Sequence, residues 1–231
     1  MTAPVPAHVV GSGGNCPGNL KDHTMKISIQ ASAIRAAAIC SAKKDIRFYL
    51  VGVHIKVAHT GFASVIGTNG HIMFAGRAAI ENLESQQSAA WSMTIPLETC
   101  KKINKKADIV ILESLPDGNY MIDGIRFTPI DGRFPDHTRV ITRCDQVTGE
   151  NTASNFDYAY LVQGNDALNA YHGGKNKVYP LVQRGNDAGL MHGGENTAVV
   201  VIMPMRIKDI GTYQGFNEAF PDALTAIQLA A

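Results

Sequence analysis

The chain has 231 residues, with 21 Lys+Arg against 20 Asp+Glu, 45% hydrophobic and 18% charged residues. That length allows one large domain or up to two small ones, and the balance excludes collagen, coiled-coil and disordered classes. A formal net charge of +1 gives no global electrostatic signature, so any nucleic-acid surface must be local. Apolar runs such as 197–205 fall far short of the roughly 18 residues that span a bilayer. Residues 1–24 lack periodicity and carry Pro, Gly and Ser throughout. With neither a basic start nor an apolar stretch they do not read as a signal peptide, and we expect a flexible leader or expression remnant.

From Met25 an order of elements repeats. An alternating strand at 25–29 precedes an Ala-rich helix expected over 31–42, with Ile34 and Ala38 on one face. Strands follow at 48–57, 62–68 and 72–77, and Thr68-Asn69-Gly70 supplies the Asn-Gly turn favoured in hairpins. After a polar connection over 79–90 the order returns: a strand at 92–95, then a helix over 97–106 with Pro96 at its first turn. Strands at 108–113, 119–122 and 125–128 complete this second unit, joined by turns at Pro116-Asp117-Gly118 and Asp123-Gly124.

A third unit is expected over about 153–207: a strand-to-helix stretch at 155–171, then strands at 178–183, 189–192 and 197–206. Within it LVQGNDALNAYHGG (161–174) is echoed by LVQRGNDAGLMHGG (181–194), whose Gly-Gly pairs are expected between strands as recurring turn chemistry. The stretch 216–229 reads as a short amphipathic helix or a loose end. Three such units predict an α+β fold, with helices packed on one face of antiparallel sheets. Two units make a full domain over 25–141, the third a half domain over 142–207, and 208–231 is a tail.

Four stretches, in order, are similar to one family: DIRFYLVGVHIKV (45–57), IGTNGHIMFAGR (66–77), DGRFPDHTRVI (131–141) and VVIMPMRI (200–207). They resemble the middle domain and the extreme C-terminus of the bacterial DNA polymerase III beta subunit, the beta sliding clamp. The resemblance covers 25–141 as one whole clamp domain and 153–207 as the second half of another. It implies the DNA-clamp fold and a processivity factor that holds polymerases or repair proteins near duplex DNA without sequence preference. It also implies a hydrophobic cleft for short client peptides. By motif position its wall includes Thr68, Gly70, His71 and Met73, then Pro135 and Val140, then Val201, Met203, Pro204, Met205 and Arg206. Methionine suits such a slot because it adapts its shape to varied partners. The chain departs from the family pattern at Asn69, where an acidic residue is usual, at Ile72, where a basic one is, and at Phe48, where a proline is.

Without the motif, His71 reads as an ordinary histidine. Met203 and Met205, two apart on an expected strand, point to opposite faces, so one of them is expected to serve the core. The helix expected over 97–106 carries Lys101, Lys102, Lys105 and Lys106 in two rows spaced four apart. Such a cluster is ordinarily a solvated face. On an inward-facing clamp helix it would meet phosphates, joined by Arg35, Lys43 and Lys44 of the first helix, in contacts that position without reading sequence. No GxSxG, HExxH or Walker loop occurs, so neither enzymatic activity, cofactor nor metal is expected. The four cysteines (Cys16, Cys40, Cys100, Cys144) lie far apart, which suits free thiols in a reducing cytoplasm. An odd number of half-domain units suggests a homo-oligomer, dimer or tetramer, built by pairing unmatched halves about a two-fold. The alternative is a decoy that binds clamp clients without encircling DNA.

Overall fold

The structure, a computed structural model, describes residues 25–57, 61–82, 91–141, 155–174, 177–183, 187–193 and 197–205. The expected leader and tail, Cys16, Cys144 and Arg206 lie outside these residues. The first unit is β1 (Lys26–Gln30), α1 (Ala31–Cys40), β2 (Gly52–Val57), β3 (Phe62–Thr68) and β4 (Ile72–Asn82). The second is β5 (Trp91–Pro96), α2 (Leu97–Lys102), β6 (Ile109–Ser114), β7 (Tyr120–Ile122) and β8 (Ile125–Phe127). The third is α3 (Tyr158–His172), β9 (Leu181–Val182), β10 (Gly189–His192) and β11 (Ala198–Ile202).

Every strand pair is antiparallel, and the first two units exchange their leading strands: β1 pairs with β6, and β5 pairs with β2. The long β4 joins everything. Its end at Ile80–Asn82 pairs with β1, while Ile72–Gly76 takes β11 on the same edge. β10 and β9 extend the sheet from there.

Helix α1 buries Ala31, Ala33, Ile34, Ala36, Ala37 and Cys40, because small side chains let sheet and helices approach from several sides at once. It touches both α2 and α3. Helix α3 seats on β11 through Gly164, where a Cβ would lie 2.9 Å from the Val200 side chain. One hydrophobic core fills the space between helices and sheets. A second, smaller cluster (Ala42, Leu50, Ile66, Met73, Phe134, Leu190, Val201) includes the outward row Met73, Val201 and Leu190.

Several elements differ from the sequence expectation, each for a local reason. The strand expected from 48 opens as a 3-10 turn, Phe48–Leu50, and becomes β2 only at Gly52. β4 runs past 77 to Asn82 because β1 supplies it with a partner. α2 stops at Lys102: Ile103 turns inward to 3% exposure, and the Asn104 side chain accepts the Lys106 N–H at 3.0 Å. Side-chain bonds of this kind compete with helix continuation. Lys105 and Lys106 are therefore not helical, and the two lysine rows do not form. Nor do Lys43 and Lys44 lie on α1, which ends at Cys40.

In the third unit residues 155–157 form no strand; Asp157 caps α3 by accepting the Ala159 N–H at 2.8 Å. The strand expected over 178–183 narrows to two residues. Asn165 and Asn169 of α3 accept the Tyr179 and Lys177 N–H groups, and Asn169 donates to the Lys177 carbonyl. The strand expected to 206 ends at Ile202, so Met203 and Met205 do not alternate across a sheet, and each is 43% exposed. The two halves of the sequence echo adopt different structures. One is α3, closed by Gly173 at φ 66°, and the other forms β9 and β10. The first Gly-Gly pair thus ends a helix and does not join strands.

Candidate functional site

The turn between β3 and β4 is fixed by its own side chains. Thr68 Oγ1 donates to the Ile72 carbonyl at 2.8 Å and accepts the Gly70 N–H at 3.0 Å. Asn69 Oδ1 accepts the N–H groups of His71 and Ile72 at 2.9 and 3.0 Å. Gly70, at φ 93°, holds a conformation that side-chain-bearing residues avoid. Asn69 thus fills a turn-forming role that an acidic residue also can. Above the turn, Arg47 grips Asp45 with two nitrogens, Nε at 3.0 Å and Nη2 at 2.7 Å. The Arg47 guanidinium beside Asp45 holds its carboxyl down at about 2.

Strand register explains why distant stretches meet here. Met73 faces Thr68 on one side and Val201 on the other. Beyond β11, the Met203 N–H donates to the His71 carbonyl at 2.8 Å. The His71 ring stacks on Tyr160 of α3, with centroids 5.7 Å apart and planes at 11°. A cavity of about 230 Å³ opens between these elements and the 134–140 stretch. Of the residues singled out from sequence, Thr68, Gly70, His71 and Met73 line it, and so do Pro135, Val140, Val201 and Met203. Pro204 and Met205 do not; the Met205 N–H bonds instead to the Asn155 carbonyl at 2.7 Å. Arg206 lies outside the described residues.

Sequence reasoning missed Arg47, Tyr49, Leu50, Ile72, Phe134, Asp136 and His137, which also line the cavity. The signal was present in DIRFYLVGV, but a strand reading sends Tyr49 and Leu50 to opposite faces, whereas the 3-10 turn brings both to one wall. Tyr160 left no signal, since only the packing of α3 places it over His71.

Behind the cleft, His54 of β2 stacks on Phe134 at 4.4 Å, and its Nδ1 lies 3.0 Å from Thr94 Oγ1. Burial pulls the His54 pKa down to about 4, with the charges of His137 and Lys56 adding to it. In the unfolded chain the ring titrates near 6.5, so the unfolded state takes up this proton first. The stability contributed by the neutral ring is therefore full above about pH 6.5 and is lost as pH falls towards 4. We expect a loss of about 1–2 kcal/mol across that window, less than the whole shift because the ring keeps part of its water. Thermal melts from pH 7 to 4.5 should fall more steeply for the native chain than for His54→Gln; parallel curves would remove His54 as the cause.

The basic residues occupy the region of α1 and α2. Lys43, Lys44, Lys102, Lys105 and Lys106 are exposed. Lys101 pairs with Glu98 at 2.7 Å, and Arg35 donates to the Ala107 carbonyl at 2.8 Å, bracing the turn after α2. Burial pushes both described thiols up, Cys100 to about 12, which leaves them protonated and unreactive. Among the described residues no cluster of three or more His, Cys, Asp or Glu is placed to hold a metal ion, and no helix is long and apolar enough to cross a membrane.

No protein-family model matches the chain, and no curated protein matches it. Solved structures do. The DNA polymerase III subunit beta of Pseudomonas aeruginosa aligns at TM-score 0.59 and 17% identity, over 88% of this chain and 70% of that one. The Caulobacter crescentus sliding clamp aligns at 0.58 and 15%, over 84% and 69%. The Thermotoga maritima beta subunit aligns at 0.61 and 11%, over 79% and 66%. The chain thus spans about two thirds of the length of the clamps it matches. At these identities the likeness is one of architecture, and the architecture is that of the bacterial DNA polymerase III beta sliding clamp: an α+β DNA-clamp fold of repeated units.

Proposed function

We propose that this chain is a clamp-like tethering protein that captures short client peptides in the cleft and associates with duplex DNA without sequence preference. The observation that carries this reading is the cleft itself. Segments over a hundred residues apart converge on one apolar slot, with His71, Asp136 and the Asp45-paired Arg47 among its lining residues. Such a slot accepts an extended peptide bearing leucine or phenylalanine anchors. Burying one such side chain is worth roughly 1.5–3 kcal/mol, so two anchors support micromolar binding once association entropy is subtracted. Titration of a labelled six-residue peptide carrying a Leu-Phe pair tests it: saturable binding in the micromolar range is expected, and no binding at millimolar protein removes the cleft reading. The clients by chemistry are DNA polymerase or repair proteins that carry such peptides.

The DNA half of the proposal rests on the exposed ammonium groups near α1 and α2. If about four phosphates are neutralised, log K against log salt should slope near −3.6. Replacing Lys101, Lys102, Lys105 and Lys106 by Ala should flatten that slope without unfolding the chain, because all four side chains are exposed. An unchanged slope would mean that this surface faces away from DNA.

One observation favours the second reading, an interaction protein that binds clients without encircling DNA. Among the described residues the sheet ends on this side at β9, and the segment leading into β9 has its backbone held by Asn165 and Asn169, followed by Pro180. Proline and side-chain capping are means by which edge strands refuse further strands. Light scattering across a concentration series separates the two readings: a dimer or tetramer supports a ring, and a monomer at tens of micromolar supports the open form.

A further inference from the structure

On the face of the sheet turned away from the helices, register sets outward side chains in rows across β3, β4, β11 and β10. Thr68, Met73, Val201 and Leu190 form the first row, of which Thr68, Met73 and Val201 line the cleft. Ile66, Ala75, Val199 and His192 form the second. Ser64 and Arg77 face each other in the third, and the Arg77 N–H donates to the Thr197 carbonyl at 2.7 Å. A second depression, of about 290 Å³, opens over the second and third rows. It meets the cleft at His137, which lines both.

Its chemistry differs from that of the cleft. Ala75, Leu190 and Val199 give an apolar floor, while Arg77 brings a guanidinium and His137 and His192 bring imidazole rings to the walls. No carboxylate is among the described lining residues, and Arg77 forms no ion pair among the described residues. The Arg77 guanidinium lies 3.4 Å above the Phe62 ring, which fixes it in place and leaves its donor edges available.

We propose that this groove holds an acidic continuation of the peptide whose apolar anchors sit in the cleft. The inference rests on the cleft reading and adds a second determinant to it. Arg77 lies four residues along β4 from Met73, a separation of about 13 Å at 3.3 Å per residue. An extended peptide covers that distance in about four residues, so the carboxylates belong there in the ligand. The Arg77 fork can take one of them through two parallel N–H···O bonds.

The test uses the full chain and synthetic peptides read by fluorescence anisotropy. One is a core peptide with a Leu-Phe pair; others add four Asp or Glu residues before or after it, and a control adds four Lys. We expect one of the two acidic extensions to tighten binding about two- to fivefold at low ionic strength, with the gain fading as salt rises. Arg77→Gln should erase the gain while leaving core-peptide affinity and the melting temperature unchanged, since the side chain is exposed. Core binding with no gain from either acidic extension, or a gain that survives Arg77→Gln, overturns the groove and leaves the cleft standing. Failure of every peptide to bind overturns the cleft reading, and the groove falls with it.

Discussion

Met203→Asp is expected to abolish peptide binding while moving the melting temperature by no more than a few degrees. The two effects separate because Met203 sits just past the end of β11, 43% exposed, with its side chain on the cleft wall. Its backbone bond to the His71 carbonyl does not depend on the side chain. A carboxylate in the slot must lose water whenever an apolar anchor enters, a cost of about 3 kcal/mol or more, which is over a hundredfold in affinity. Met73 makes the opposite case. It is 6% exposed and belongs to the second core cluster, so Met73→Asp should unfold the chain. Anisotropy and thermal melts on both variants decide the matter. A drop of ten degrees or more for Met203→Asp would place that residue in the core and take it out of the binding wall.

The elements that sequence foretold well are those whose pattern is enforced from both sides. β3 and β10 are expected at 62–68 and 189–192, the bounds observed, because each lies between two pairing partners. Three of the misplaced ends fall where a side chain captures the backbone: Asn104 after α2, Asp157 before α3, and Asn165 with Asn169 beside residues 177–179. Asparagine and aspartate are visible in a sequence, but which backbone group each will bind is settled only by packing. The echo within the third unit makes the same point, since nearly the same letters form a helix in one place and a hairpin in the other. Local propensity is a weak prior that tertiary context overrides.

At the site, resemblance brought forward the residues carried on the three later stretches, and strand register shows why they meet. Residues whose role depends on a bend or on another element stayed hidden. Tyr49 and Leu50 needed the 3-10 turn, His54 needed Phe134 folded over it, and Tyr160 needed α3 docked beside His71. The lysines were misjudged in the other direction. A spacing of four implied two helical rows, but the helix ends before the second residue of each row, and one member is already paired with Glu98.

Gly67→Ala is expected to be the most damaging glycine-to-alanine change among the described residues. Gly67 lies on β3 directly beneath α1, where a Cβ would fall against the Ala37 carbonyl and within 2.7 Å of the Ser41 hydroxyl. Neither neighbour can yield easily. The Ala37 carbonyl accepts the Ser41 N–H and hydroxyl at 3.1 and 3.0 Å, and the same hydroxyl reaches the Gly52 carbonyl at 2.9 Å. Relief therefore requires α1 to lift from the sheet, and α1 also carries the contacts to α2 and α3. Overpacking of this kind costs about 3 kcal/mol, or a fall of about 6–12 °C in melting temperature for a chain of this size. The adjacent residue is Thr68, whose carbonyl accepts the Ala42 N–H at 3.2 Å just past α1, so peptide affinity should fall with stability. Gly118→Ala is the control: at φ 82° with nothing within 4 Å of a new Cβ, it carries only backbone strain, about 1–2 kcal/mol. Thermal melts of the two variants separate steric exclusion from conformational strain. If Gly67→Ala melted no lower than Gly118→Ala, α1 would not be seated on β3 at that glycine, and the close approach that positions the cleft turn would have to be abandoned.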